Sequence, residues 1–130
     1  MNEKESKLIE NARCLIKERF KENYHHIASS LVTRSGKEFT AVHLEANVGR
    51  VAVCAEAIAI GMAAAAGDTE IETIVAVNRN GDVVSPCGMC RELISDYSPN
   101  SNVIVENRNE LISVSVKDLL PNKYARKHNN

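Results

Sequence analysis

Residues 51–67 read Val51-Ala52-Val53-Cys54-Ala55-Glu56-Ala57-Ile58-Ala59-Ile60-Gly61-Met62-Ala63-Ala64-Ala65-Ala66-Gly67, small and apolar side chains with Glu56 as the single charge. The run is too short for a membrane span and carries an acid in its interior, so it predicts a buried helix. Its apolar surface predicts cover on every side, some of it from another subunit. A carboxylate in such surroundings is costly unless it has a partner or a chemical role. Cys54 stands two residues before it.

A second cysteine group follows at Ser85-Pro86-Cys87-Gly88-Met89-Cys90-Arg91. A Cys-x-x-Cys at a helix start places two thiols on one side of a single ion, and the helix N-terminus favours their charged form. Cys54, Cys87 and Cys90 are therefore the candidate ligands of one zinc per chain. Structural zinc is closed by four protein ligands, whereas catalytic zinc keeps one position open for water. His25, His26, His43 and His128 lie at no ligand spacing from the cysteines, so three cysteines plus a water is the economical set. Such a water gives Glu56 its role, because a carboxylate beside it can take its proton and pass it on. Residues two apart on a regular helix point to opposite sides. The pair requires the metal to sit over the helix end, which predicts a helix start near residue 52–54. The competing reading is a structural zinc, with Glu56 as a buried salt-bridge partner.

The rest of the chain builds the frame. The 130 residues suffice for one domain, 1–130, with 125–130 a loose tail. Hydrophobic residues at 44%, charged residues at 25% and a net charge of -1 describe an ordinary soluble globular protein. Five aromatics and no basic groove argue against a nucleic acid polymer as partner, and nothing suggests a membrane. The N-terminus runs straight into an amphipathic pattern instead of a signal core, which predicts a cytoplasmic protein with reduced thiols. Cys14 reads as an ordinary helix residue.

Periodicity predicts a helix over 3–22, strands over 25–33 and 39–44 forming a hairpin about Gly36, and an irregular link over 45–50. After the central helix come a strand at 71–77, a turn at Asn80-Gly81 and a helix over 88–97. Strands at 103–105 and 111–116 and a short helix at 117–120 complete the chain. This order predicts a three-layer α/β/α domain with a mixed five-stranded sheet, and a parallel crossover between residues 71 and 105.

Cys54-Ala55-Glu56 followed 33 residues later by Pro86-Cys87-Gly88-Met89-Cys90 is similar to the zinc deaminase signature. The chain resembles the cytidine deaminase superfamily over nearly its whole length. Within it, Ala41-Val42-His43-Leu44-Glu45-Ala46, Gly49-Arg50, 53–61 and 85–97 most resemble the blasticidin S deaminases. The resemblance implies hydrolytic deamination of a small-molecule cytosine nucleoside with release of ammonia, blasticidin S being the best-matched substrate and antibiotic detoxification the result. It also implies a homotetramer with active sites near subunit contacts. Deamination of cytidine or deoxycytidine in pyrimidine salvage is the near alternative, and a non-catalytic zinc-stabilised binding protein the distant one.

The same resemblance implies the remaining site residues. Cytidine deaminases carry an Asn-x-Glu that holds the ribose hydroxyls; here the aligned residues are His43-Leu44-Glu45. The aromatic residue that packs on the base falls at His25, and a substrate-covering aromatic falls at Tyr124. Relatives with Arg directly after the catalytic Glu have Ala57 in its place here. Arg91 is then the candidate to offset the charge of three thiolates, a surface or subunit-contact arginine being the other reading. Arg50 is left between a substrate carboxylate and a neighbouring subunit. Met89 reads as filler near the zinc, and Ser85 as a backbone contact to the substrate amine.

Overall fold

A computed structural model describes residues 1–127 of the chain. The first helix, α1 (Glu3–Arg19), opens with a capping box: Glu5 N–H donates to Asn2 Oδ1 at 2.8 Å, and Asn2 N–H donates to Glu5 Oε1 at 3.1 Å. It buries Leu8, Ile9, Ala12 and Ile16. It stops before residue 22 because Phe20 turns to extended backbone and Asn23 takes a left-handed φ of 69°. Asparagine tolerates that region better than most residues.

Strands β1 (Ile27–Thr33) and β2 (Glu38–Val42) form the expected hairpin, with Ala28 opposite Val42. Helix α2 (Ala55–Ala65) leads to β3 (Ile71–Asn78), which pairs antiparallel with β1. A turn with Gly81 at φ 82° folds the chain back into β4 (Val83–Val84), which pairs with Ala76 and Val77 of β3. Helix α3 (Gly88–Tyr97) follows, then β5 (Asn102–Asn107), β6 (Glu110–Ser115) and a short 3₁₀ turn at Val116–Leu119. The sheet runs β2-β1-β3-β5-β6, with β3 and β5 parallel and the other pairs antiparallel. The expected five strands are there, and β4 adds a sixth. It needs only two residues because the hairpin from β3 supplies its register.

One layer of core lies between α1 and the sheet, where Leu8, Ala12 and Ile16 meet Ala28, Val32, Val75 and Ile104. The other lies beneath α2 and α3, where Ala59, Ile60, Ala63 and Ile94 meet Leu31, Ile71, Ile74 and Val103. Alternate side chains of β1 and β3 serve opposite layers, as strand geometry requires. Ser29 and Ser30 inside β1 are fully buried. The Ser29 hydroxyl donates to the Val75 carbonyl at 2.8 Å, and Ser30 Oγ lies 3.1 Å from Thr40 Oγ1.

One expectation about residues 51–67 changes. The helix is shorter, because Gly49–Val51 forms a 3₁₀ turn and Val53 bridges antiparallel to Leu44. At its end Gly67 (φ 75°) donates to the Ala64 carbonyl and Asp68 to that of Ala63, a Schellman closure. Within this chain the helix is covered on its sheet side alone, which leaves the other side for the cover expected from another subunit. Ala59 and Ala63 face the sheet with no exposure, while Gly61, Met62 and 64–67 are exposed. One helix can meet only one sheet face, so an all-apolar sequence leaves its outer side open. The tail over 125–127 is exposed and irregular, and residues 128–130, His128 among them, lie outside the described residues.

The small residues on the inner side of α2 set its approach to the sheet. Ala59→Leu is expected to destabilise the fold by about 1–3 kcal/mol through overpacking, read as a lower urea midpoint with unchanged slope.

Candidate active site

Two helix N-termini meet at one end of the sheet. Cys54 is the N-cap of α2, Cys87 is the N-cap of α3, and Cys90 lies in the first turn of α3. The bridge from Val53 to Leu44 delivers the first cysteine, and the β3–β4 hairpin delivers the second pair. The Sγ atoms of Cys54 and Cys87 are 3.8 Å apart, and all three sulfurs lie within 4.8 Å of one another. Two thiolates about 2.3 Å from a tetrahedral zinc sit about 3.8 Å apart, so the spacing and the soft donor set fit zinc. Among the described residues no histidine or carboxylate joins the group. The described residues thus offer three sulfur donors to the metal.

The N-cap position resolves the geometry of the Cys-x-Glu pair. Cys54 has extended backbone (φ -65°, ψ 147°), so its side chain leaves over the end of the helix. Glu56 sits in the first turn with 6% of its surface exposed. Burial holds its carboxyl above the usual carboxylate range, and its own main-chain N–H partly offsets this. A carboxyl raised in this way takes up a proton more readily than an exposed one.

The thiols differ. Burial raises Cys90 strongly, with the Glu56 charge adding to the effect, and burial also raises Cys54. Cys87 is raised by burial too, but the N–H groups of Cys90 and Met89 and the other two sulfurs bring it below the ordinary thiol value. This is the influence expected of a helix N-terminus.

A cavity of about 200 Å³ opens beside the sulfurs, lined by Ile27, His43, Cys54, Ala55, Glu56, Val84, Ser85 and Cys87. It lies below the roughly 300–1,000 Å³ typical of sites for drug-sized ligands, and suits a ring more than a whole nucleoside. His43 Nδ1 accepts from the His26 main-chain N–H at 2.8 Å, and His43 Nε2 lies 3.4 Å from Glu45 Oε2. Glu45 Oε1 accepts from the Ala46 N–H at 3.0 Å. That bond and His43 hold the Glu45 carboxyl below its usual range. His25 stands one step back, its Nδ1 2.9 Å from the His43 carbonyl.

Other residues fall elsewhere. Arg91 donates to the carbonyls of Pro86 at 2.9 Å and Leu119 at 3.2 Å, tying the cysteine loop to the 3₁₀ turn. Tyr124 is 79% exposed and lines a separate cleft with Glu92, Asp96, Tyr97 and Lys123, not the cavity. Lys123 in that segment donates to Ser95 Oγ at 2.9 Å and pairs with Asp96. Arg50 is exposed in its 3₁₀ turn. Met89 is also 79% exposed, which corrects its reading as filler: the first turn of α3 directs it outward. The walls Ile27 and Val84 and the N–H of His26 carry no chemical signal in the sequence. Extending the β1–β2 register one step would have placed Ile27 opposite His43.

Burial raises the Cys54 and Cys90 thiols above the ordinary value, so metal and protons compete for the sulfurs. Loading the metal-free protein with zinc at pH 7.5 is expected to release about two to three protons, Cys54 and Cys90 giving one each and Cys87 whatever fraction it still holds. Apparent zinc affinity falls as pH falls, because the raised thiol pKa values favour the protonated form that cannot bind. Titration in weak buffer with a pH indicator, repeated in a zinc competition assay at pH 6 and 8, checks both.

Residues 2–107 match the model of the cytidine and deoxycytidylate deaminase zinc-binding region. The chain is 43% identical over 134 aligned residues to a blasticidin-S deaminase of Bacillus cereus, covering 97% of this chain and 96% of that one. Among solved structures, a cytidine deaminase from Burkholderia pseudomallei superposes with a TM-score of 0.77 at 28% identity, covering 95% of this chain and 100% of that one. A cytidine deaminase from Mycobacterium leprae shares the fold with a TM-score of 0.79 at 22% identity, covering 92% and 99%. With three sulfurs placed for one metal ion and a buried acid beside them, the chain belongs to the cytidine and deoxycytidylate deaminase family of zinc-dependent deaminases.

Proposed function

We propose that this enzyme deaminates a cytosine nucleoside, with blasticidin S the best-matched substrate and detoxification of that antibiotic its consequence. The observation that carries the reading is Glu56 buried in the wall of the same cavity that Cys54 and Cys87 line. The 43% identity to a protein named for blasticidin S supports the choice of substrate. Cys54, Cys87 and Cys90 would hold the zinc, which would supply a water of lowered pKa. Glu56, in the cavity wall, would take a proton and pass it to the ring and then to the departing amine. The net reaction adds water at C4, replaces the amino group by a carbonyl oxygen and releases ammonia. The first turns of α2 and α3 aim main-chain N–H groups at the charge that gathers there. Arg91, held against the Pro86 carbonyl, adds positive charge beside three thiolates.

Glu45 and His43, backed by His25, form the sugar-side wall. Exposed Leu44, Val48, Val51, Val53 and Met62 support a homotetramer whose contacts run past the cavity mouth. Tyr124 would cover a substrate only across such a contact. Free thiols in the site suit a cytoplasmic setting. Cytidine or deoxycytidine is the second reading, favoured by Glu45, which keeps the position that holds ribose hydroxyls in cytidine deaminases.

Ammonia release from blasticidin S, cytidine and deoxycytidine, measured side by side, separates the substrates. The expected order places blasticidin S first by kcat/KM; good turnover of cytidine with none of blasticidin S sinks the assignment. Glu56→Gln is expected to keep zinc and lower kcat about 10³-fold or more. Retained turnover would remove the proton-carrier role, whereas no ammonia release from any of the three substrates by the unaltered protein would favour a zinc-stabilised binding protein. Sedimentation is expected to give four times the chain mass.

A further inference from the structure

The backbone beside the cavity continues the β1–β2 pairing past both strand ends. His43 N–H donates to the Ile27 carbonyl at 2.9 Å, Glu45 N–H to the Tyr24 carbonyl at 2.9 Å, and His25 Nδ1 meets the His43 carbonyl at 2.9 Å. His26 N–H donates to His43 Nδ1 at 2.8 Å, and the rings of His26 and His43 meet edge to face at 5.5 Å. An imidazole nitrogen that accepts from a main-chain N–H cannot carry the ring's proton. The neutral ring of His43 therefore bears its hydrogen on Nε2. That atom faces Glu45 Oε2 at 3.4 Å, a long contact of the kind that tightens when a substrate closes the site. The other Glu45 oxygen is held by the Ala46 N–H. Each carboxylate oxygen thus has one donor from the protein and lone-pair capacity left for a donor from outside.

We propose that His43 is a positioning residue and not itself a substrate contact: with Nδ1 occupied by the His26 N–H, its Nε2–H is committed to Glu45 and holds that carboxylate ready for hydrogen-bond donors on the sugar side of the nucleoside. The inference rests on the deaminase reading above, and it assigns specificity to one acceptor group. Groups recognised there are hydroxyls or cations. A substrate carboxylate at that position is rejected by Glu45 instead of being welcomed by the histidine. The imidazole acts through the orientation of Glu45, so its contribution belongs to binding and leaves the chemistry at Glu56 unchanged.

Met and Gln in place of His43 separate the two roles. Both lose the Nδ1 acceptor and have similar length, but only Gln keeps a donor near the place of Nε2. With blasticidin S and with cytidine, His43→Met is expected to raise KM about tenfold with kcat within about twofold, and His43→Gln to recover most of that loss. In a Glu45→Ala background, His43→Met is expected to add less than about twofold, because its effect passes through a group already removed. Equal losses for Met and Gln, or penalties that multiply in the double variant, would overturn the proposal. The imidazole ¹⁵N spectrum of the zinc-loaded protein supplies a readout independent of turnover: His43 is expected in the Nε2–H form, and an Nδ1–H form overturns the assignment. If neither substrate is deaminated by the unaltered protein, the functional reading fails, while the spectrum still decides the tautomer.

Discussion

Three sulfurs and a buried carboxylate must share a space a few ångströms wide, and everything about this fold follows from that requirement. Gathered without compensation, such groups repel one another and resist ionising, which is why burial raises Cys54, Cys90 and Glu56 together. The protein answers with two helix N-termini brought to one point. Their free N–H groups are the available positive ends of the backbone, and they lower Cys87 in spite of its own burial. A metal ion completes the compensation, so metal uptake and thiol ionisation are one equilibrium.

Bringing two helix starts together is a problem for the sheet. The β3–β4 hairpin, closed by Asn78 Oδ1 accepting from the N–H groups of Asn80 and Asp82, returns the chain to the end of β3 that Ile27 of β1 also reaches. The Leu44–Val53 bridge returns the other segment to the same place from β2. Short pairings of one or two residues therefore carry positional weight out of proportion to their length. They are anchored in a sheet whose central strands are buried on both faces, and they inherit its rigidity.

What is legible in the sequence is what side-chain chemistry announces. The spacing of Cys54, Glu56, Cys87 and Cys90, the helix over 88–97 and the apolar strand at 71–77 each carry their own signal. The outer side of α2 is not legible because alanine and glycine give no periodicity: inner Ala59 and outer Ala64 look alike in sequence and differ entirely in burial. Met89 misleads for the related reason that an apolar side chain beside a metal ligand suggests filling, whereas the helix turn directs it out. β4 is silent because two valines carry no alternation to detect. Tyr124 lines a different cleft from the cavity, and a lone aromatic beyond the last strand carries no periodicity that would say where the chain folds back.

The order Cys-x-Glu is workable only because Cys54 is not inside the helix. Two residues along a regular α-helix turn a side chain by about 200°, which would put the sulfur and the acid on opposite sides. An N-cap residue keeps extended backbone, so its side chain points over the end while the second helical residue turns in beneath it. Pro86-Cys87-Gly88-Met89-Cys90 uses the same device differently. Its N-cap and third helical residue are the pair that a capping box brings face to face, here with two sulfurs in place of an oxygen and an amide. One helix end thus supplies a ligand and an acid, the other supplies two ligands, and neither motif tolerates an inserted residue. A single insertion between Cys54 and Glu56 rotates the acid by about 100° about the helix axis, out of the cavity to the half-exposed position that Ala57 holds, away from the side where Ala59 and Ala63 meet the sheet.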